Sequence, residues 1–269
     1  MFDPSRLGHF GYHPDPPAKD HAFSALLQPK LQAAFGGDVD LRPYTTQSDQ
    51  YSAGSCVGNA TADAVEILNA IAGMPQVQLS RLFIYTMARN LMDEDGDGRA
   101  DIDRDEGTYP RLAFDVLAKF GVCREDVGIE KGGWPYDLGK LRTLPSLKAM
   151  RAATGHRIHS YYRITETGAD RIDSVLAALR ANHPVVMGTK VEKSFLSVSN
   201  DAPVAPPKGV TIGGHALIIV GYLRAQGFIV KNSWGPSWGD NGCCIMEPEY
   251  IVWSETSDLW VPTMGTMFR

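Results

Sequence analysis

An α+β fold in two lobes with a cleft between them is what this sequence predicts, and three observations carry that expectation. The amino-terminal half reads as helices, with apolar residues recurring at helical spacing. The carboxy-terminal half breaks into short β-rich runs separated by turn residues, as an antiparallel sheet or small barrel would. The chain has 269 residues, enough for one sizeable core or two small units packed together. A helical half followed by a β half is the signature of an α+β protein. Hydrophobic residues at 43% and charged residues at 21% give the balance of an ordinary globular protein.

In chain order, residues 1 to about 20 carry Pro4, Pro14, Pro16 and Pro17 beside Gly8 and Gly11, which predicts an extended arm rather than a packed element. Residues 21–35 suit a short helix interrupted near Pro29. From Ser55 to Ala72, the residues Ala60, Ala64, Ile67, Leu68 and Ile71 fall on one helical face, and Gly73 with Pro75 ends the run. Ser80–Leu91 predicts a second helix opened by a serine cap, and Tyr109–Phe120 a third, closed by Gly121. His156–Tyr162 reads as a strand and Ala169–Asn182 as a helix. The runs PVVMGTKV, HALIIVGYL and GFIVKNSW then read as strands. No internal repeat and no low-complexity tract interrupts this order.

Charge and cysteine content remove several classes of function. The net charge of −5 offers no phosphate-binding surface, so nucleic acid is not an expected partner. No stretch is apolar for long enough to span a bilayer, and no membrane partner is expected. The first residues show no basic segment followed by an apolar one, so no secretory signal is visible and a cytoplasmic protein is the default expectation. The four cysteines, Cys56, Cys123, Cys243 and Cys244, are too few for a disulfide framework and lack zinc-ligand spacing. A reduced protein with at most one bridge, and without a metal cofactor, is expected.

The chemistry-bearing residues lie in three stretches. Gly54-Ser55-Cys56 precedes the most regular helix, so the thiol faces free N–H groups and the positive end of the helix dipole, both of which favour thiolate. Taken alone, Cys56 reads better as a small buried hydrophobe. His215 heads an apolar strand after Gly213 and Gly214, and a lone histidine there is more often structural. Asn232 follows the strand GFIVK within KNSWGPSWGDNG. Its amide can accept from one imidazole nitrogen, leaving the other for a thiol, while Trp234 and Trp238 shield that bond. Gln50, six residues before Cys56, can add a side-chain amide to the Cys56 N–H in holding an oxyanion. Gln47 competes for that role.

In the order Gln–Cys–His–Asn, with the stretches DLRPYTTQSDQYSAGSCVGNA, GGHALIIVGY and KNSWGPSWGDNG, the chain resembles the papain family of cysteine peptidases. The resemblance runs from Asp40 to the carboxy terminus and is strongest in the Asn-Ser-Trp-Gly run. It implies a papain-like two-lobed fold: residues 37–150 as the mainly helical lobe with the nucleophile, and residues 151–269 as the mainly β lobe with His215 and Asn232. It implies a monomer that hydrolyses peptide bonds in peptide or protein substrates. Cys56 would be nucleophile, His215 general base and acid, Asn232 orienter and Gln50 oxyanion donor. Gly107, Thr108, Gly214 and Trp234 would bind the substrate, with Gly107 and Thr108 offering backbone hydrogen bonds. The alternatives are a papain-fold peptide-binding protein of limited catalysis and an acyltransferase.

Departures from the family pattern carry their own expectations. Ala53 and Asp105 stand where the family usually has a disulfide pair. Val57, Gly58 and Asn59 replace the usual Trp-Ala-Phe, which changes the packing behind the thiol. Thr108 replaces a second glycine, narrowing that subsite, and Gly213 and Gly214 leave the pocket beside His215 roomier. The arm is shorter than the family's inhibitory segments and resembles the short extension of prokaryotic branches such as the xylellain-like enzymes. Residues 1–36 are expected either to run across the cleft and limit access or to form a loosely packed tail. In the acidic stretch DEDGDGRADIDRDEG, Asp93, Asp95, Asp97 and Asp101 sit at calcium-loop positions, but Arg104 stands where the closing Glu belongs. A solvated acidic loop is the favoured reading.

Overall fold

The computed structural model describes residues 10–26, 37–198 and 202–264. Six α-helices are described: α1 (Cys56–Ile71), α2 (Arg81–Arg89), α3 (Pro110–Lys119), α4 (Leu147–Ala153), α5 (Gly168–Arg180) and α6 (Pro248–Val252). The strands are β1 (Val39–Asp40), β2 (Ser160–Ile164), β3 (Val185–Glu192), β4 (Thr211–Leu223), β5 (Gly227–Lys231), β6 (Cys243–Met246) and β7 (Ser257–Thr263). They form one sheet in the order β2-β7-β3-β4-β5-β6, antiparallel throughout, with β1 added against β4. The expected α+β architecture of helical part and antiparallel sheet is the one observed. Among the described residues no helix is long and apolar enough to cross a membrane.

Local chemistry explains the element ends. The Ser80 hydroxyl caps α2 by accepting from the Phe83 N–H at 3.0 Å. Pro110 occupies the first turn of α3, where its missing N–H is not needed. Gly121 ends that helix with φ +81°, and a Cβ there would meet the Ala153 carbonyl oxygen at 2.1 Å. The strand expected from His156 starts later, at Ser160. His156 and Ile158 are held instead by Val122 and Leu117 of the helical part, so the chain leaves that part before it joins the sheet. Of the helix expected over 21–35, Phe23–Leu26 is a single 3₁₀ turn, and residues 27–36 lie outside the described residues. The short α4, α6, β6 and β7 carried no readable periodicity.

The helix α1 lies between the two parts of the molecule, against α2 and α3 on one side and β4 on the other. Every residue from Cys56 to Asn69 is buried. Gly58 permits the close crossing with α2, since a Cβ there would lie 2.7 Å from the Arg81 carbonyl oxygen. On the sheet side Asp63 forms a buried ion pair with Lys231 of β5, and Lys231 also donates to the Ser48 hydroxyl at 2.7 Å. Glu66, one turn on, accepts from the Leu79 N–H at 2.7 Å and from Thr46. Burial, and after it the neighbouring Asp63, pushes Glu66 up to about 8.

The buried Asp63–Lys231 pair is the polar pin between the two parts. Lys231→Met leaves the Asp63 charge uncompensated and is expected to lower unfolding free energy by about 3–5 kcal/mol in urea titration. Adding Asp63→Leu should restore most of the loss. A single variant that loses under about 1 kcal/mol would show that the pair pins nothing.

Candidate functional site

Cys56 is the first residue of α1, with Ser55 as its cap residue, and is fully buried. Its thiol meets the peptide N–H groups of Ala216, Gly11 and Val57. These donors favour thiolate, yet burial outweighs them and pushes the thiol up to about 11. Helix-end electrostatics alone pointed to thiolate, so in this arrangement the thiol departs from that expectation.

Strands β4 and β5 bring His215 and Asn232 together. Their antiparallel register places Ile218 opposite Lys231, the residue before Asn232. The Asn232 Oδ1 accepts from the Ser233 N–H at 2.8 Å and from His215 Nε2 at 2.7 Å. An amide oxygen only accepts, so Nε2 carries the proton. The neutral ring therefore has an unprotonated Nδ1, which is buried without a hydrogen-bond partner. Trp234 stacks on the imidazole at 4.7 Å and 28°, and Trp238 packs edge-on against Trp234. Burial pushes His215 down to about 4, partly offset by its bond to Asn232.

Gln50 is stitched to the same region. Its N–H donates to the Ser233 carbonyl at 2.8 Å, and its Oε1 accepts from the Ser233 hydroxyl at 2.7 Å. Its Nε2 donates to the Ala53 carbonyl at 2.8 Å, which commits one of its two N–H bonds. Gln47 is engaged elsewhere, donating to the Asn241 carbonyl at 3.2 Å. No disulfide joins the four cysteines, all buried and free. In place of a bridge beside Ala53, the Asp105 carboxylate accepts from the Gly54 N–H at 3.0 Å and the Tyr85 hydroxyl at 2.6 Å. Behind the thiol, Asn59 donates to the Ser55 carbonyl at 3.0 Å and accepts from Arg81 at 3.3 Å.

The arm is extended as expected but, from Phe10 onward, packed into the cleft. The Thr108 N–H donates to the Gly11 carbonyl at 2.9 Å, the His13 N–H to the Thr108 carbonyl at 3.2 Å, and the Tyr12 N–H to the Gly214 carbonyl at 3.2 Å. The arm therefore runs parallel to the Thr108 segment. Gly11 sits where a Cβ would lie 1.6 Å from the Gly54 carbonyl oxygen. Phe10 packs edge-on to His215 at 6.0 Å and to Trp234 at 6.2 Å. Beyond the thiol, Asp15 accepts from the Trp260 indole at 2.9 Å and the Arg111 N–H at 3.0 Å. Asp20 pairs with Arg111 at 2.8 Å and Arg163 at 3.0 Å. Burial, followed by the nearby Asp258, pushes Asp15 up to about 7. Tyr12, Asp15, Asp20, Arg111, Arg163 and Asp258 escaped sequence reasoning, because nothing local marks contacts that span more than 90 residues of chain.

In the acidic loop the carboxylates of Asp93, Asp95 and Asp97 approach within 4.8 Å of one another, all exposed. Asp101 stands apart from them, because its Oδ2 accepts from the Glu94 N–H at 2.7 Å. Arg104 pairs with Asp95 at 2.6 Å, and the Asp93 carboxylate accepts from the Gly98 N–H at 3.2 Å.

Residues 37–255 match the papain family cysteine proteases. An uncharacterized peptidase C1-like protein of Acanthamoeba polyphaga mimivirus is 34% identical over 264 residues, covering 90% of this chain and 78% of that protein. A cysteine protease of Blomia tropicalis is 24% identical, covering 74% of this chain but only 56% of that protein. The crystal structure of xylellain, a cysteine protease from Xylella fastidiosa, superposes with a TM-score of 0.80 at 30% identity, over 96% of this chain and 97% of that one. Procathepsin B of Trypanosoma congolense, at 15% identity and a TM-score of 0.67, shares the fold.

Two expectations follow from the seating of the arm. Gly11→Ala has no space for its Cβ and should release the arm, read as new protease cuts within residues 10–26 and an unchanged circular dichroism spectrum. The second concerns pH. Asp15 faces Asp258 and Trp260 of β7, Arg111 of α3 and Tyr12 of its own arm. Its carboxyl is raised when docked and ordinary when free, so docking takes up a proton. The Asp15 contribution to docking is full below about 4 and is lost as pH rises through about 7. Cutting of the arm should therefore speed up from pH 5 to 8, and Asp15→Asn should flatten the profile.

Proposed function

The chain belongs to the papain family of cysteine proteases, and from that premise we propose that it is a peptidase held latent by its own amino-terminal arm. The observation that supports this best is the imidazole of His215. One nitrogen is fixed by Asn232, and the other stands unprotonated, buried and unpartnered, in the residue next to Ala216, whose N–H meets the thiol. Such a nitrogen is the acceptor a neighbouring thiol proton requires.

In the proposed reaction the Cys56 thiol gives its proton to His215 Nδ1, and its sulfur adds to a substrate peptide carbonyl. The oxyanion is held by the Cys56 N–H and the remaining N–H of the Gln50 amide. The C–N bond breaks as His215 returns the proton to the leaving amine. Water then adds to the thioester, giving a proton to His215, and the C–S bond breaks to regenerate the thiol. Asn232 keeps the imidazole in the productive tautomer, and Trp234 shields their hydrogen bond.

Two features of the arm support latency. Gly11, Tyr12 and His13 use Thr108 and Gly214, the same backbone groups assigned to substrate. Phe10 also covers the imidazole that would protonate a leaving amine, while Tyr12 lies on the far side of the thiol. The arm thus places its later residues where a substrate would place its acyl side, and so runs opposite to a cleavable chain.

The deciding measurement is covalent labelling by an epoxide inhibitor of cysteine peptidases, followed by intact mass. The Gly11→Ala protein should be labelled at Cys56 at least tenfold faster than the parent chain, and Cys56→Ala should not be labelled. In the released protein, Gln50→Ala is expected to lower kcat by about 10²-fold with little change in KM. A folded, released protein that neither labels nor cleaves any peptide of a random library would falsify the peptidase reading in favour of a peptide-binding protein.

A further inference from the structure

The pocket that holds Tyr12 contains a group that the reaction above does not use. The tyrosine ring lies on Gly188 of β3, where a Cβ would come within 2.1 Å of it, and beside Gly214, where one would come within 3.0 Å. At the floor its hydroxyl donates to Asp258 Oδ2 at 2.6 Å and stands 2.6 Å from the Ser257 hydroxyl. Asp258 is buried, and Arg163 holds its other oxygen. The second strong donor to Oδ2 is the N–H of Asp15 at 2.9 Å, which also belongs to the arm. When the arm leaves, both donors leave with it, and Oδ2 keeps only the Ser257 hydroxyl at 3.4 Å. A buried carboxylate oxygen in that position requires a donor from whatever fills the pocket.

The arm also fixes which substrate residue fills it. Phe10 lies against His215, Gly11 meets the thiol, and Tyr12 follows on the other side. The leaving amine belongs on the His215 side, so the Tyr12 pocket lies on the acyl side. It is one residue from the position whose carbonyl meets Cys56. We propose that this pocket selects tyrosine at the residue immediately before the scissile one, and that Asp258 determines this specificity by accepting the phenol hydroxyl. The proposal rests on the peptidase reading. Phenylalanine fills the same space but leaves Oδ2 without its donor. Lysine or arginine brings a second cation to a carboxylate that Arg163 already neutralises.

The test uses full-length Gly11→Ala protein and peptides differing only at that residue. Tyrosine should exceed phenylalanine in kcat/KM by roughly tenfold to a hundredfold, the discrimination expected of a hydrogen bond to a charged acceptor. Asp258→Ala should bring the ratio near one. Gly188→Ala, whose Cβ takes the place of the ring, should lose both aromatic peptides and keep one with alanine there. Equal rates for tyrosine and phenylalanine, or a ratio untouched by Asp258→Ala, overturn the proposal while the peptidase reading stands. A readout without turnover separates the two. A fluorescent peptide of residues 10–20 should bind the released protein at least tenfold more tightly than its Tyr12→Phe version. A protein that cleaves nothing yet shows this difference refutes the peptidase reading and supports recognition of tyrosine by Asp258.

Discussion

The enclosure of α1 governs everything else in this molecule. A helix buried from Cys56 through Asn69 cannot slide or rotate without opening the core on both of its sides. The thiol at its first residue is therefore held in place, and each group that would act with it on the proposed reading has to be delivered by another element. The β4–β5 register delivers His215 and Asn232. A short cross-connection, with Gln50 bonded to Ser233 and Gly235 to Ser48, holds the amide beside them. The buried Asp63–Lys231 pair ties that delivery to α1 itself, because Lys231 immediately precedes Asn232. The arrangement has little tolerance, and the wall is built accordingly from close backbone contacts at Gly58, Gly107 and Gly214.

Burial and helix-end electrostatics oppose each other at Cys56, and their magnitudes decide the outcome. Raising a thiol from 9.0 to about 11 disfavours thiolate by roughly 3 kcal/mol. A helix amino terminus offers up to ~2 kcal/mol toward the anion. With Phe10, Gly11 and Tyr12 seated over the cleft, burial prevails and the thiol and imidazole are both neutral. The same residues that occupy the cleft also withhold water from it, so on the proposed reading latency has two causes: steric closure and suppression of the reactive ionisation state.

How much of this was legible beforehand follows from the range of the interactions. Helices α1, α2 and α3 and strands β3, β4 and β5 are long, periodic and bounded by their own caps and glycines, and their positions follow from local chemistry. Cys56, His215, Asn232 and Gln50 stood out only together, through the order and motifs that resemble the papain family; singly each read as a structural or surface residue. The pairing of Asp20 with Arg111 and Arg163, or of Tyr12 with Asp258, left no trace. Each partner alone reads as an ordinary surface charge or a lone aromatic, and only the fold brings them together. The late start of β2 had the same origin, since His156 and Ile158 bond to Val122 and Leu117 rather than to the sheet. Asp101 was misplaced among the acidic loop's carboxylates for a local reason: a side chain that accepts from the Glu94 N–H is turned away from its neighbours.

The departures from the family pattern form a connected set once the arm is in place. Gly213 and Gly214, read first as mere room beside His215, are the surfaces on which Phe10 and Tyr12 lie; a Cβ on Gly213 would meet the Phe10 ring at 2.5 Å. Asp105, standing where a bridge partner is usual, accepts from Gly54, and the Gly54 carbonyl bounds the seat of Gly11. Tyr85 shares the Asp105 carboxylate and accepts from the Gly107 N–H at 3.2 Å, which positions the Thr108 edge that the arm uses. A hydrogen-bonded carboxylate thus supports both walls of the seat where a covalent bridge would support one. Three glycines along the floor admit aromatic rings that any side chain there would exclude. Cleft and arm are complementary in shape down to single Cβ atoms, and on the proposed reading the pocket floored by Gly188 and ended by Asp258 is the part of that complementarity a substrate would inherit.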